Sequence, residues 1–451
     1  MTTEESLAQW LIGWMIVAAI IAWDRLRGTE KGTGLVLAYL LSFWLNYWLA
    51  TALYLIPWYS HFELGLVQEG FKQSAYGLFA FAFGSVVLSP ILIKFFSASS
   101  STGTLAAPTT DIPKAYLSLG IASFVLGPTP IGSIPTLSTI LTNGQNLFVV
   151  GLCLYCWQAW LDIDKKTFVR CVGAIVALPF VTILTRGFFG YGAAAACVVL
   201  AFIASFVRLS WKVIPVGLVI GYVGLSFYVT YMRGRNEVRE VVWAGEAAKN
   251  RFDSVYKMMN GFEWFDPSNE RQLWLIDTRM NQSFLAGAAV DSLSNSQAYA
   301  YGETIWHAVV GLVPRVLWPN KPTSGGSGTL VSDYTGIRFP EGTSVGIGQV
   351  MEFYINFGTT GLMLCFLVLG VALTIIDDFA RQRLVSGDWY AFALWFTVGI
   401  PFLQVAGQLV EITSSAAASL VLVLAVNRYL SYRFQNKQSV GQAEHVEPGT
   451  Y

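Results

Sequence analysis

Charge is what this sequence has least of. Only 12% of its 451 residues are charged, about half of the roughly 25% that a soluble domain carries, which excludes a soluble multidomain enzyme of this length. Basic and acidic residues balance at 28 each, so no excess of cations exists to bind nucleic acid. Five cysteines are too few for a disulfide scaffold, and all fall in apolar runs. Cys153 and Cys156 form a CxxC, but no second ligand pair stands near it in sequence, so it is read as packing and no metal is expected. No GxxxxGK[ST] or GxGxxG stands between a strand and a helix, which removes nucleotide-driven transport by this chain alone. Glu4 and Glu5 occupy the place of a basic n-region, so no signal peptide is read there. Neither an internal repeat nor an inverted pair of broken helices is apparent.

What is present is apolar length. Hydrophobic residues make up 54% of the chain, and mean hydropathy is +0.52, enough for ten or more spans of roughly 20 residues. The expected fold is all-α: a polytopic membrane bundle of about eleven spans, or twelve. The spans fall at 7–23, 34–56, 74–95, 115–133, 147–162, 168–185, 187–207, 213–231, 347–376, 389–407 and 410–429. The fourth runs into Gly127, Pro128, Pro130 and Pro135, and its outer end is expected to be broken or re-entrant. Four regions follow: an N-terminal bundle over 1–231, a long loop over 232–346, a C-terminal bundle over 347–430, and a tail over 431–451 expected to lack fixed structure.

Basic residues set the orientation. Arg25, Arg27, Lys31, Lys94, Lys114, Lys165, Lys166, Arg170, Arg208, Lys212, Arg381, Arg383, Arg428, Arg433 and Lys437 all fall on one side, whereas the short loops opposite hold only Lys72 and Arg186. The pattern predicts an N-terminus outside and a C-terminus in the cytoplasm. The 232–346 loop is then extracytoplasmic, with short helices on the membrane surface. Residues 299–313 are apolar enough to dip into the interface as an amphipathic helix. Charges over 233–257 have helical spacing and read as a solvated face.

Polar residues at the margins of apolar runs are the first functional candidates. On the outer side these are Arg186 in TILTRGFFGYG, Glu352 and Asn356 in QVMEFYINFG, and Gln404 and Gln408, which share a helix face at i,i+4. The long loop adds Arg271, Asp277, Arg279, Asn281, Glu303, His307, Arg315 and Lys321. Each has a plain alternative: Arg186 as an interfacial anchor, Glu352 as a helix N-terminal acid, His307 as a neighbour of Trp306, and the glutamines with Glu411 as interhelical glue. The segment GLVPRVLWPNKP with the following SGGSG presents Arg315 and Lys321 on a stiff, glycine-flanked backbone suited to phosphate.

The chain resembles the O-antigen and exopolysaccharide repeat-unit polymerases, the Wzy family. The resemblance is carried by TRG at an outer helix end, DTRMNQSF and PRVLWPNKP in a late outer loop, and TSVGIGQVMEFYINFGTTG entering a span. It covers roughly residues 165–375. It implies an integral-membrane glycosyltransferase similar to the GT-C class, working without cofactor or metal at the outer face of the bacterial inner membrane. Its substrates would be undecaprenyl-diphosphate-linked glycans in the lipid bilayer, and its partners a flippase and a chain-length regulator. Arg186, Arg271, Arg279, Arg315 and Lys321 would bind diphosphate and glycan and stabilise the leaving diphosphate. A general base would come from His307, Glu303 or Glu352. An O-antigen ligase and a flippase or exporter of lipid-linked oligosaccharide are the alternatives.

Overall fold

A computed structural model describes residues 3–27, 31–97, 111–127, 129, 135–207, 213–313, 318, 320, 326–340, 343 and 345–444. All regular structure among them is helical. In chain order the helices are α1 Thr3–Leu26, α2 Leu35–Leu55, α3 Leu64–Phe95, α4 Asp111–Leu126, α5 Pro135–Leu161, α6 Lys165–Arg186, α7 Phe189–Phe206 and α8 Val213–Trp243. Then come α9 Ala248–Asn260, α10 Glu270–Met280, α11 Gln282–Ser296, α12 Glu303–Gly311 and α13 Ser327–Thr335. The chain closes with α14 Gln349–Val385, α15 Trp389–Gly399 and α16 Leu409–Glu444.

Each of the eleven apolar runs overlaps one of these helices. Among the described residues eight helices are long and apolar enough to cross a membrane, and α7 and α15 are shorter apolar ones. The chain is a membrane protein. The fourth run yields a helix of only 16 residues that stops at Leu126, just ahead of the proline-rich stretch, much of which lies outside the described residues.

Three boundaries differ from expectation. Helix α8 does not stop near 231 but continues to Trp243, because Tyr231, Val238 and Val242 recur on one buried face. The tail is helical as far as Glu444, since no proline interrupts it before Pro448. Gln404 and Gln408 do not share a helix: a tight turn at Ile400–Leu403 ends α15, and α16 starts only at Leu409. Pro401 and Gly407 account for the break.

The core is aromatic where α2, α3 and α14 meet. Tyr39 stacks on Phe81 with centroids 4.8 Å apart, and Phe43 stacks on Phe366 at 5.6 Å. The Tyr39 hydroxyl donates to Gln349 Oε1 at 2.8 Å, fixing the start of α14. Helix α14 then breaks at Phe357 and Gly358, where the backbone leaves helical angles. The break sets its first turns, with Glu352 and Asn356, apart from the long apolar stretch.

The 232–346 segment is not draped loosely over the bundle. Helix α11 packs against α3 backbone to backbone, with Gly70 facing Gly287. A Cβ on Gly287 would lie 2.6 Å from the Leu66 carbonyl carbon, and one on Gly70 2.9 Å from the Ser283 carbonyl carbon. Small residues permit such approach between helices in lipid.

At the opposite end of the bundle the chain is tied by buried charge. Asp377 of α14 accepts from Thr33 N at 2.6 Å, Thr33 Oγ1 at 2.7 Å, Leu35 N at 3.1 Å and Val36 N at 3.3 Å. It therefore caps α2 from another helix, satisfying amides that α2 leaves open at its start. Beside it Arg25, 3% exposed, pairs with Asp378 at 2.9 Å and donates to Ser85 O at 3.1 Å.

Candidate functional site

Two groups of polar side chains stand at the end of the bundle that carries the 232–346 segment. The first is cationic. Arg235 and Arg239, one turn apart on α8, form a charge group with Arg279 of α10, and both act electrostatically on Arg235. Arg239 Nε donates to Gly187 O at 3.2 Å, and its guanidinium lies 4.2 Å from the Phe188 ring centroid. Arg186, the residue before, sits 5.1 Å over the Tyr191 ring, while Trp243 Nε1 donates to the Arg186 carbonyl at 3.2 Å. Gly187 makes this possible by ending α6 with φ +74°, a left-handed cap natural to glycine. Arg186, Arg235 and Arg239 are half-buried and Arg279 is exposed. Among the described residues none of the four has a carboxylate within 4.0 Å. Like charges gathered without counter-charge repel one another, and a bound anion relieves that repulsion.

The second group surrounds a cavity of about 210 Å³ lined by Glu303, Thr304, His307, Thr329, Leu330, Asp333, Tyr334 and Gln408. Glu303 and His307 are four residues apart on α12 and so share a face. Helix α12 is pinned by Asn356: its Oδ1 accepts from Gly302 N at 2.9 Å, and its Nδ2 donates to Thr304 Oγ1 at 2.7 Å and Glu352 O at 2.6 Å. Away from the cavity α12 presents Val309 and, just beyond, Leu312, with Trp306 at the margin, all exposed, as expected of a helix resting in a membrane interface. Burial first, and then the charges of Glu303 and Asp333, push the Tyr334 hydroxyl pKa above its ordinary value.

Glu352 lies behind this wall rather than in it. It is fully buried, Oε2 accepts from Leu409 N at 2.7 Å, and Oε1 has no hydrogen-bond partner. It therefore caps the start of α16, next to Gln408.

Of the residues expected from sequence, Glu303 and His307 meet in the cavity and Arg279 joins the arginine group; Arg186 stands beside that group, its guanidinium over Tyr191 and its carbonyl bonded by Trp243. The arginines do not line the cavity. Arg271 is exposed on α10, eight residues and about 12 Å along the helix from Arg279. Arg315 and Lys321 lie outside the described residues. Arg235, Arg239, Asp333 and Tyr334 are not among the candidates the sequence offers. The arginine pair carried a signal, i,i+4 cations directly after an apolar run, whereas nothing local marks Asp333. A short path through the Gln282 side chain links the two groups. Gln282, three residues after Arg279, abuts Gly346 and Gly348, and Gly348 N donates to Ala406 O at 3.2 Å, two residues before Gln408.

Helix α10 is held by one buried acid. Asp277, 1% exposed, accepts from Tyr54 Oη at 2.8 Å, Tyr59 Oη at 2.9 Å and Asn281 Nδ2 at 2.7 Å. Burial raises its carboxyl pKa above the ordinary value, and the three hydrogen bonds oppose the rise.

The profile of a family described as a domain of unknown function, DUF8712, matches residues 83–430. The chain belongs to that family. No curated protein and no solved structure matches it. The matched region takes in the arginine group, the cavity and Asp377; Tyr54, Tyr59 and the Thr33–Val36 turn lie before it.

Proposed function

We propose that this protein polymerises polyprenyl-diphosphate-linked oligosaccharide repeat units at the outer face of a bacterial inner membrane, crossing it eleven times with its N-terminus outside. The observation that carries this reading is the pairing, at one end of the bundle, of an uncompensated arginine group with a separate cavity holding a histidine. An arginine group suits a diphosphate, because guanidinium meets phosphate oxygens bidentately. Its distance from the cavity suits the acceptor: Arg186, Arg235, Arg239 and Arg279 hold the acceptor's lipid diphosphate while its glycan reaches into the cavity.

His307 is the preferred base, since it faces the cavity and a neutral imidazole nitrogen can accept a proton. The acceptor hydroxyl oxygen attacks the anomeric carbon of the growing chain, and its proton passes to the His307 imidazole. The bond from that carbon to the diphosphate oxygen breaks, and the diphosphate departs with the electron pair. Pre-positioned cations lower the barrier by meeting this charge as it develops; Arg315 and Lys321 are the sequence's candidates.

The test is the full-length protein in lipid nanodiscs with a lipid-linked repeat unit, read as a product ladder. Arg279→Ala should raise KM for the repeat unit with kcat retained, whereas His307→Ala should lower kcat by about 10²–10⁴-fold. A wild-type protein that yields no ladder but attaches finished glycan to a lipid A core, or moves the unit across the bilayer, would overturn the reading in favour of a ligase or an exporter.

A further inference from the structure

The cavity lies under α12, whose other side is exposed and apolar, yet it shows the wrong charge for a phosphate. Glu303 and Asp333 both face it, and no lysine or arginine among the described residues lines it. At about 210 Å³ it falls below the roughly 300–1,000 Å³ typical of sites for drug-sized ligands, so it takes one ring rather than an extended chain. Thr304 and Gln408 are at least nine-tenths buried and form its polar floor, while Leu330 and the Tyr334 ring supply an apolar wall. An apolar face opposed to convergent hydrogen-bonding groups is the surface a pyranose ring presents in mirror image.

We propose that this cavity is a subsite for a single non-acidic sugar ring, and that Glu303 and Asp333 select against anionic sugars. Carboxylates only accept hydrogen bonds, so they match adjacent hydroxyls or a sugar ammonium. A uronate would instead bring a third negative charge into a partly desolvated space. The inference rests on the proposed glycan transfer for its biological meaning and extends it to the class of sugar carrying the attacking hydroxyl.

Binding is tested apart from turnover. The full-length protein in nanodiscs is titrated with methyl glucoside, methyl glucosaminide and methyl glucuronide, followed by saturation-transfer NMR. The glucoside and the glucosaminide should bind, the latter about tenfold or more tighter than the glucuronide. Asp333→Asn and Glu303→Gln should each shrink that preference, and Asp333→Lys should reverse it. Thermal unfolding of each variant identifies any that fails to fold, and the two amide variants then suffice. Equal binding of the glucuronide, no glycoside binding, or a preference unmoved in the folded variants would overturn the proposal. If the preference holds but no product ladder forms, the subsite stands and the polymerase reading falls.

Discussion

Replacing Gly287 with alanine adds one methyl group at the tightest crossing between the 232–346 segment and the bundle. That methyl would stand 2.6 Å from the Leu66 carbonyl carbon, where carbon atoms ordinarily rest about 3.5–4.0 Å apart. The obstacle is backbone inside a helix, so it cannot swing aside; α11 must withdraw from α3 by about 1 Å. The overpacking should cost about 1–3 kcal/mol of stability. The functional effect should be larger, because α11 also packs on α13, which carries Thr329, Asp333 and Tyr334, and starts three residues after Arg279. A displacement near 1 Å in groups that position substrate costs about 10²-fold in rate. The expected outcome for Gly287→Ala is therefore a product ladder formed about a hundredfold more slowly by a protein that still folds. Ser294→Ala, on the exposed side of the same helix, serves as the control and should match wild type. Wild-type turnover and melting temperature for Gly287→Ala would refute the idea that this crossing sets the cavity wall.

Three further perturbations probe other parts of the structure. Asp377→Ala strands three amides and a hydroxyl at the start of α2 and should lower unfolding free energy in mixed micelles by about 3–5 kcal/mol; Asp377→Asn, which keeps one acceptor oxygen, should lose less, and an alanine variant within about 1 kcal/mol of wild type would reject the cap. Asp277 titrates with a raised value in the folded protein, so its protonated form favours folding below the unfolded value of about 3.9 and that contribution disappears as pH rises through the folded value. Melting temperature should accordingly fall across that rise, and Asp277→Asn should flatten the slope. Asn356→Ala removes both bonds that tie the first turns of α14 to the start of α12; kcat should fall with little change in KM for the lipid-linked unit, and an unchanged kcat would show that Thr413 and Ser414 of α16 hold α12 without it.

The sequence made the apolar helices legible because hydropathy is a local property, summed over twenty neighbours. Their ends were less so. The extension of α8 to Trp243 depends on whether Val238 and Val242 find something to pack on, and that partner, α9, is set by a later stretch of chain. Glu303 and His307 were readable as a pair because an i,i+4 spacing survives folding intact. Asp277 stands out in sequence as a polar residue of the outer loop, but its partners Tyr54 and Tyr59 lie more than 200 positions away. Asp377 carries no local signal for the same reason: its four donors come from residues 33–36. In sequence Arg235 and Arg239 read as solvated charge, since dense charge on a helix usually is that; only the packing of α8 on α10 brings them to Arg279. A carboxylate such as Asp333 has no local mark at all when its role comes from what stands opposite.

The cap on α2 also has a temporal side. The turn at Thr33–Val36 emerges early in synthesis, and the carboxylate that satisfies it is 344 residues behind. At translation speeds of about 5–20 residues per second, those amides wait roughly 17–70 s for Asp377. During that interval the second helix sits in the bilayer with its leading turn unsealed. Release of a truncated chain ending before residue 377 would leave it so permanently, a ready mark for the proteases that clear unfinished membrane proteins.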